Sequence, residues 1–174
     1  FNEGYATWMA EKAASTLRSQ WNVPLLTVKW PREFALQSDA SDATHPIVQR
    51  VASVDAASQA FDAIAYNKGS AVIRMLEASL GETGFRDGIR RYVRRYAYDN
   101  TVTDQLWSEL ASATNRPVID IARDFTLQPG VPLVKAVAGR CESGRTRVTL
   151  TQGRFETGTP SPVALTWRIP VVLQ

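Results

Sequence analysis

The sequence predicts a mainly α-helical fold that is followed by a short β segment. Over most of the first 125 residues, apolar side chains recur at intervals of three and four, which is the period of an amphipathic helix. Pro129-Gly130-Val131-Pro132 is the strongest turn signal in the chain, and after it apolar and polar residues alternate as they do in a strand. We therefore predict a helical domain over residues 1–131 and the beginning of an incomplete β-sandwich domain over residues 132–174.

The first predicted helix covers residues 4–21. Its apolar residues are Trp8, Met9, Ala13, Leu17 and Trp21. Asn2 is a residue type that caps helix N-termini, and this places Glu3 in the first turn. Between residues 22 and 42 the helical pattern is interrupted by Pro24 and Pro31, so we predict a loop or short helix that contributes little to the core.

Two longer helices are predicted at residues 61–80 and 85–96. The apolar residues of the first are Phe61, Ile64, Ala65, Val72, Met75, Leu76 and Leu80. Gly81 follows as a C-terminal stop signal, and Tyr66 falls on a different face from the apolar residues. The second helix combines an apolar stripe with five arginines, which are Arg86, Arg90, Arg91, Arg94 and Arg95.

Two short helices and the β segment complete the prediction. Thr103 is a suitable N-cap for one helix, and Pro117 suits the first turn of the next. Alternating residues predict strands at residues 147–151 and 164–169. Two or three strands are too few for independent stability, so we expect them to belong to a larger sandwich. Their unpaired edges favour self-association.

The composition excludes several classes of protein. A hydrophobic fraction of 44% over 174 residues is typical of globular material. The net charge of +3 is too small an excess to indicate nucleic-acid binding by itself. One cysteine excludes an internal disulfide framework, and no apolar run approaches the roughly 18 residues of a membrane span. The first residues lack the pattern of a signal peptide, and the compartment stays open.

The histidine count limits the chemistry of this chain. A catalytic zinc takes three protein ligands and a water, usually from histidine, cysteine and carboxylate side chains. The chain has one histidine, His45, and one cysteine, Cys141, so neither common ligand set can be assembled. Glu3 lies between Asn2 and Gly4, in the position of a metal ligand at the start of a helix. The sequence therefore indicates a piece of an enzyme that holds part of a site.

Several segments, taken in order, resemble one family of enzymes. They are Asn2-Glu3-Gly4-Tyr5-Ala6-Thr7-Trp8-Met9, Thr44-His45-Pro46-Ile47, and residues 61–77, 126–132, 150–155 and 167–171. A lone Asn-Glu-Gly is weak, but the ordered set closely resembles the zinc aminopeptidases of the aminopeptidase N and puromycin-sensitive type, which are gluzincin metallopeptidases. The resemblance covers essentially the whole chain.

The resemblance implies a thermolysin-like catalytic domain followed by a β-sandwich. In that family H-E-x-x-H supplies two zinc ligands and the general base, and the glutamate of Asn-Glu-Gly, about eighteen residues later, is the third ligand. Glu3 matches that ligand, and Tyr66 matches the tyrosine that donates to the oxyanion. The whole protein would remove N-terminal residues from peptides with a free N-terminus, using one zinc ion. The isolated chain is expected to be inactive and to hold zinc weakly or not at all.

One position departs from the family pattern. Many members have a second glutamate seven residues after the zinc ligand, and Ala10 occupies that position here. Glu11 is adjacent but is rotated by about 100° on the helix, so either another residue substitutes or the metal is held less firmly. Without the resemblance, Glu3 is a first-turn glutamate, Tyr66 a packing residue, and His45 and Cys141 have no indicated chemistry.

The arginine-rich helix supports a second hypothesis. Residues Arg86 to Arg95 form a basic face that could bind nucleic acid or an acidic partner. Interleaved acids such as Asp87, together with the small net charge, favour an ordinary solvated face, and we expect no nucleic-acid partner. A salt titration of duplex-DNA binding separates these two hypotheses. A third hypothesis, a purely structural helical domain, predicts a whole protein without H-E-x-x-H.

Overall fold

The computed structural model describes residues 1–159 and 162–171. Its α-helices are α1 Asn2–Leu17, α2 Val23–Thr27, α3 Glu33–Asp39, α4 Val54–Gln59, α5 Gly69–Leu80, α6 Glu82–Arg95, α7 Thr103–Thr114 and α8 Val118–Thr126. Ser19–Trp21 is a turn of 3₁₀-helix, and Val28–Arg32 and Ile64–Lys68 are π-helical. Two strands follow, β1 Val131–Glu142 and β2 Arg145–Phe155. The predicted mainly α class is confirmed.

The core lies where α1, α5, α6, α7 and α8 meet. Trp107 of α7 is completely buried at its centre, and the ring of Phe1 packs edge-on against it with centroids 5.0 Å apart. Trp8 of α1 packs on Phe85 of α6 in the same way, at 5.3 Å. Edge-to-face aromatic pairs add to the large apolar area that these side chains bury. The start of α1 is therefore held firmly against the helical core.

The two strands form an antiparallel hairpin. Its register pairs Val131 with Phe155 at one end and Glu142 with Arg145 at the other, with an irregularity between Ala138 and Cys141. The turn residues Ser143 and Gly144 both have positive φ, at 53° and 75°. Positive φ at both positions gives a two-residue turn whose twist matches the strands it joins. Most side chains of the hairpin are exposed.

Two predicted helix caps are wrong. Phe1 is the N-cap of α1, and Asn2 is already helical, with its Nδ2 donating to Glu3 Oε1 at 2.9 Å. Val102 is likewise the N-cap of α7, and Thr103 is the first helical residue. The N–H of Val102 donates to the side-chain oxygen of Gln105 at 2.8 Å, so this helix is capped from its third residue.

The segment at residues 22–42 contributes more to the core than its sequence indicates. It forms α2, the first π-helical segment and α3, and Ala35, Asp39 and Ala40 are buried. Pro24 lies in the first turn of α2, where its missing N–H needs no partner. Pro31 lies within the π-helical segment, whose irregular hydrogen bonding tolerates a residue without a donor.

The strand predicted at residues 164–169 is wrong for the described residues. Residues 162–171 form neither helix nor strand, and Trp167 is buried against the helical core. The side-chain amide of Gln152 joins this segment to β2, because its Oε1 accepts from Trp167 N at 2.9 Å and its Nε2 donates to Trp167 O at 3.0 Å. The Gln152 side chain thus makes the hydrogen bonds that the backbone of a neighbouring strand would otherwise make. The predicted β domain also includes residues 160–161 and 172–174, which lie outside the described residues.

None of the helices in the described part of the chain is both long enough and apolar enough to cross a bilayer.

Candidate metal and oxyanion site

Glu3 lies in the first turn of α1, with its side chain partly buried. The amide of Asn2 donates to one of its carboxylate oxygens. The unpaired N–H groups at a helix N-terminus favour a negative charge there. A carboxylate at such a helix terminus is a suitable metal ligand.

Tyr66 lies in the π-helical segment Ile64–Lys68, directly before α5. Asp62 prepares this segment, because its Oδ1 accepts from the backbone N–H groups of Ile64 and Ala65 at 3.0 and 2.9 Å. The backbone oxygen of Asp62 accepts from Tyr66 N at 3.1 Å. π-helical turns are rare and occur frequently at functional sites. The helix predicted at residues 61–80 is observed from residue 64 onward, and its first turns are π-helical.

Glu3 lies near enough to Tyr66 to affect its pKa. Desolvation raises the pKa of Tyr66 above its ordinary value, and the neighbouring carboxylate of Glu3, as an acceptor and as a negative charge, raises it further. Each effect disfavours a phenolate beside a carboxylate. Tyr66 therefore stays protonated well above neutral pH. A neutral phenol can donate to a developing oxyanion without adding a charge.

Gly4 of α1 and Gly69 of α5 let these two helices come closer together than they could if either residue had a side chain. A Cβ added to Gly4 would lie 2.6 Å from Gly69 Cα, and one added to Gly69 would lie 2.8 Å from Gly4 Cα. Gly4 directly follows Glu3, and Gly69 begins α5 shortly after Tyr66. Because neither residue has a side chain, the backbones of α1 and α5 come into contact next to Glu3 and three residues after Tyr66.

Two polar clusters beside Tyr66 were not foreseen from the sequence. Lys68 Nζ lies 2.8 Å from Asp39 Oδ2, and both side chains are buried. His45 Nε2 lies 2.7 Å from Asp62 Oδ2. The partners in each pair are distant in sequence, so no local pattern indicates them. The one available signal was Asp62, a residue type that often precedes a helix.

Comparison with known proteins identifies the family. The model of the Peptidase family M1 domain matches residues 1–125, which is most of the chain. This chain belongs to the M1 peptidase family. The resemblance drawn from the ordered motifs is thereby confirmed.

Relatives of this M1 chain carry aminopeptidase names. It is 38% identical to Aminopeptidase 2 of Candida albicans over 154 residues, covering 88% of the chain and 16% of that protein. It is 36% identical to Leucyl aminopeptidase of Saccharolobus solfataricus over 155 residues, covering 88% and 19%. It is 34% identical to Aminopeptidase M1 of Arabidopsis thaliana over 172 residues, covering 99% and 19%. The chain thus spans less than a fifth of the length of these relatives.

The side chains of the M1 chain could supply one of the three protein ligands that a zinc site needs. Among the described residues there is no group of three or more histidine, cysteine, aspartate or glutamate side chains that could hold a metal ion. Glu3 supplies one carboxylate, and Tyr66 stands beside it as a hydrogen-bond donor. His45 contacts Asp62 and Cys141 is exposed in β1, so neither is grouped with Glu3. A zinc site that includes Glu3 needs its other ligands from residues outside this chain.

Ala10 and Glu11 of the M1 chain have distinct surroundings. Ala10 is exposed, and a methyl group offers no support to a metal ligand. Glu11 is directed to α5, where its Oε2 accepts from Ser70 Oγ at 2.9 Å and from Arg74 Nε at 3.2 Å, and it also pairs with Arg74 Nη2. Since this carboxylate already has three donors, we interpret Glu11 as joining α1 to α5.

We expect Gly69→Ala to lower the free energy of unfolding by about 1–3 kcal/mol, the usual cost of overpacking. The new methyl group meets the backbone of Gly4, which cannot rotate away as a flexible side chain can. Chemical denaturation monitored by circular dichroism measures the change.

Gly153→Ala is the matched control for this substitution. Nothing lies within 4 Å of a Cβ at position 153, so its methyl group enters open space. A Gly69→Ala chain as stable as the Gly153→Ala chain would show that the two helices separate without cost and would contradict the close-contact argument.

Proposed function

We propose that this chain is part of a zinc aminopeptidase, in which Glu3 binds the metal and Tyr66 donates a hydrogen bond to the oxyanion of the transition state. The whole protein would remove N-terminal residues from peptides. Residues 1–131 would form the helical part of its catalytic domain, and residues 132–174 would begin a β-sandwich. By itself the chain would be inactive and would hold zinc weakly, because one carboxylate does not make a zinc site.

The close packing of the segments that hold Glu3 and Tyr66 carries this proposal. Many helical domains contain a first-turn glutamate, and many contain a tyrosine at the edge of the core. Here the two segments meet at two glycines, and Glu3 lies near enough to raise the pKa of Tyr66. A purely structural role explains each residue singly but gives no reason for a phenol to lie near a carboxylate. The aminopeptidase names of the relatives agree with the proposal.

The chemistry assigns a separate task to each residue. When bound, zinc polarises a carbonyl oxygen and lowers the pKa of a water ligand. Glu3 lies in the first turn of α1, whose start packs against the helical core, so its carboxylate would be held in place to orient the metal. Tyr66 keeps its proton at neutral pH, so it can donate to the carbonyl oxygen as negative charge develops there. Positioned donors of this kind stabilise the transition state more than the ground state.

The basic face of α6 gives the alternative hypothesis little support. Arg91 and Arg95 contact Glu109, at 3.3 and 2.7 Å. Arg86 and Arg90 both lie 3.7 Å from Asp87. Since these four guanidinium groups face carboxylates of the chain itself, we interpret this surface as a solvated helix face and propose no nucleic-acid role.

We expect Glu3→Gln in the whole protein to weaken zinc binding at least about tenfold, since even residues that only support metal ligands cost 10- to 100-fold. Peptidase activity should fall in parallel and should recover in part with excess zinc. Metal content after dialysis against graded zinc buffers and hydrolysis of an aminoacyl chromogenic substrate measure the two effects.

Glu82→Gln is the matched control. Glu82 is the first residue of α6 and also occupies a first helical turn, so it tests the effect of losing a helix-terminal charge. It should leave zinc content and activity unchanged. Full zinc content and full activity in Glu3→Gln would overturn the assignment of Glu3 as a ligand.

A further inference from the structure

His45 and Asp62 join two parts of the chain at the start of the π-helical segment that carries Tyr66. His45 Nε2 lies 2.7 Å from Asp62 Oδ2, and the two side chains are 25% and 35% exposed. The contact is therefore partly shielded from water. Its importance depends on what each partner holds in place.

Asp62 holds the beginning of the π-helical segment. Its Oδ1 accepts from Ile64 N and Ala65 N, and its backbone oxygen accepts from Tyr66 N at 3.1 Å. The first N–H groups of a helical segment have no partners within the segment, so a side chain that binds them sets where the segment begins. The carboxylate of Asp62 thus uses one oxygen for the Tyr66 segment and the other for His45.

His45 is itself anchored to the helical core. Its Nδ1 lies 2.8 Å from Pro46 O, so both ring nitrogens face oxygen atoms that accept hydrogen bonds. A residue before proline is restricted to extended conformations, which limits where the ring can lie. Ile47 is buried, and Val48 N donates to Thr126 O of α8 at 2.9 Å. The imidazole is therefore a fixed point from which Asp62 is held.

We propose that His45 is a positioning residue for Tyr66, acting through Asp62. The chain of contacts runs from α8 through residues 45–48 to the His45 ring, then to Asp62 and to the backbone of Tyr66. This inference rests on the proposed role of Tyr66 as the oxyanion donor. Without the imidazole, Asp62 Oδ2 loses its partner and the carboxylate is free to turn, so the segment that carries Tyr66 is no longer fixed at its start.

The first test follows the backbone of the Tyr66 segment in the 174-residue chain and needs no activity. Amide hydrogen exchange read by NMR measures the protection of the N–H groups of Ile64, Ala65 and Tyr66. His45→Ala should speed exchange at these amides, because the Asp62 carboxylate that accepts from Ile64 and Ala65 loses the contact that holds it. The amide of Asn115, which donates to Ala111 O at the end of α7, should exchange as before and is the internal control.

Two further variants keep this test decisive. His45→Gln retains an N–H donor that can reach Asp62, so it should restore most of the protection of these amides. Asp62→Asn keeps an oxygen for the backbone N–H groups but weakens the contact with His45, and it should speed exchange as His45→Ala does. Unchanged exchange at Ile64, Ala65 and Tyr66 in a folded His45→Ala or Asp62→Asn chain would overturn the proposal.

The second test measures peptide hydrolysis by the whole protein. Misplacing a catalytic group by about 1 Å can cost 100-fold, so His45→Ala should lower kcat about tenfold to 100-fold with little change in KM. Asp104→Ala, which removes a surface contact with Arg123, is the control and should change neither. A wild-type protein without peptidase activity would overturn the proposed function and leave the hydrogen-exchange result standing. An active protein whose kcat does not respond to His45→Ala would overturn the positioning role alone.

Discussion

Lys68→Met is expected to lower the free energy of unfolding by about 3–5 kcal/mol, the cost of leaving one member of a buried ion pair without its partner. Lys68 is 5% exposed and Asp39 is completely buried, with Nζ and Oδ2 2.8 Å apart. Asp39 Oδ2 has no hydrogen-bond partner that would replace the ammonium group. Equilibrium denaturation in urea measures the loss.

This ion pair also holds the loop that precedes the hairpin. Lys68 Nζ donates to Gly130 O at 3.0 Å, and Asp39 Oδ1 accepts from Gly130 N at 3.0 Å and from Thr44 Oγ1 at 2.6 Å. Lys68 and Asp39 thus bind both backbone polar groups of Gly130. Removing the ammonium group therefore loses a backbone hydrogen bond as well as a charge.

Two comparisons distinguish the free-energy cost of leaving a buried charge without its partner from the cost of losing a lysine side chain. The double variant Asp39→Leu with Lys68→Met removes both charges and should be more stable than Lys68→Met alone. Lys12→Met removes a lysine that is 42% exposed and pairs with Glu77, so it should cost less than about 1 kcal/mol. A Lys68→Met chain that is no less stable than the Lys12→Met chain would contradict the prediction.

The same cluster predicts how stability depends on pH. Desolvation lowers the pKa of Lys68, and the opposing effect of Asp39 does not fully compensate. Between the folded and the ordinary pKa, the unfolded chain binds more protons at this lysine than the folded chain does. The free energy of unfolding therefore rises with pH in that alkaline window and falls as the pH drops through the folded pKa. Lys68→Met should remove this contribution.

Tyr66→Phe in the whole protein is expected to lower kcat by about 100- to 1,000-fold, which is about 2.7–4 kcal/mol and the usual cost of losing one oxyanion donor. The substitution deletes the hydroxyl and keeps the ring, so packing against Phe61 is preserved. KM should change little, because the hydrogen bond forms mainly in the transition state. Steady-state hydrolysis of an aminoacyl substrate measures both constants.

Controls for Tyr66→Phe must exclude metal loss and general damage. Zinc content should equal that of the wild type, because Tyr66 is a donor and not a ligand in the proposal. Tyr98→Phe removes a hydroxyl from a fully exposed tyrosine and should leave kcat unchanged. A Tyr66→Phe enzyme with full zinc and an unchanged kcat would overturn the assigned role of Tyr66.

Much of the helical architecture follows from local pattern. The periodic apolar residues of 61–80 and 85–96 predict helices close to those observed, because an amphipathic stripe acts within its own segment. The helix ends were predicted less well, since the cap is decided by where the backbone leaves the helical conformation. Val102 therefore caps α7 although Thr103 has the favourable side chain.

Longer-range features lay beyond the local pattern. Residues 164–169 alternate like a strand, but a strand needs a neighbouring strand, and the Gln152 side chain occupies the backbone groups of Trp167 instead. The prolines at 24 and 31 predicted a loop or short helix that adds little to the core, yet Ala35, Asp39 and Ala40 in this region are buried. In each case the outcome depended on packing against segments that are distant in sequence.

The sequence by itself determined the helical class, the ordered motifs of the family and the candidates Glu3 and Tyr66, because residue identity and short-range spacing carry that information. Only the tertiary structure decided that Glu3 lies near Tyr66, that Gly4 and Gly69 permit the approach of α1 to α5, and that His45 and Lys68 pair with carboxylates. The physical reason is distance along the chain. These residues belong to α1, α3, α5, the π-helical segment and the segment around His45, which only packing brings together.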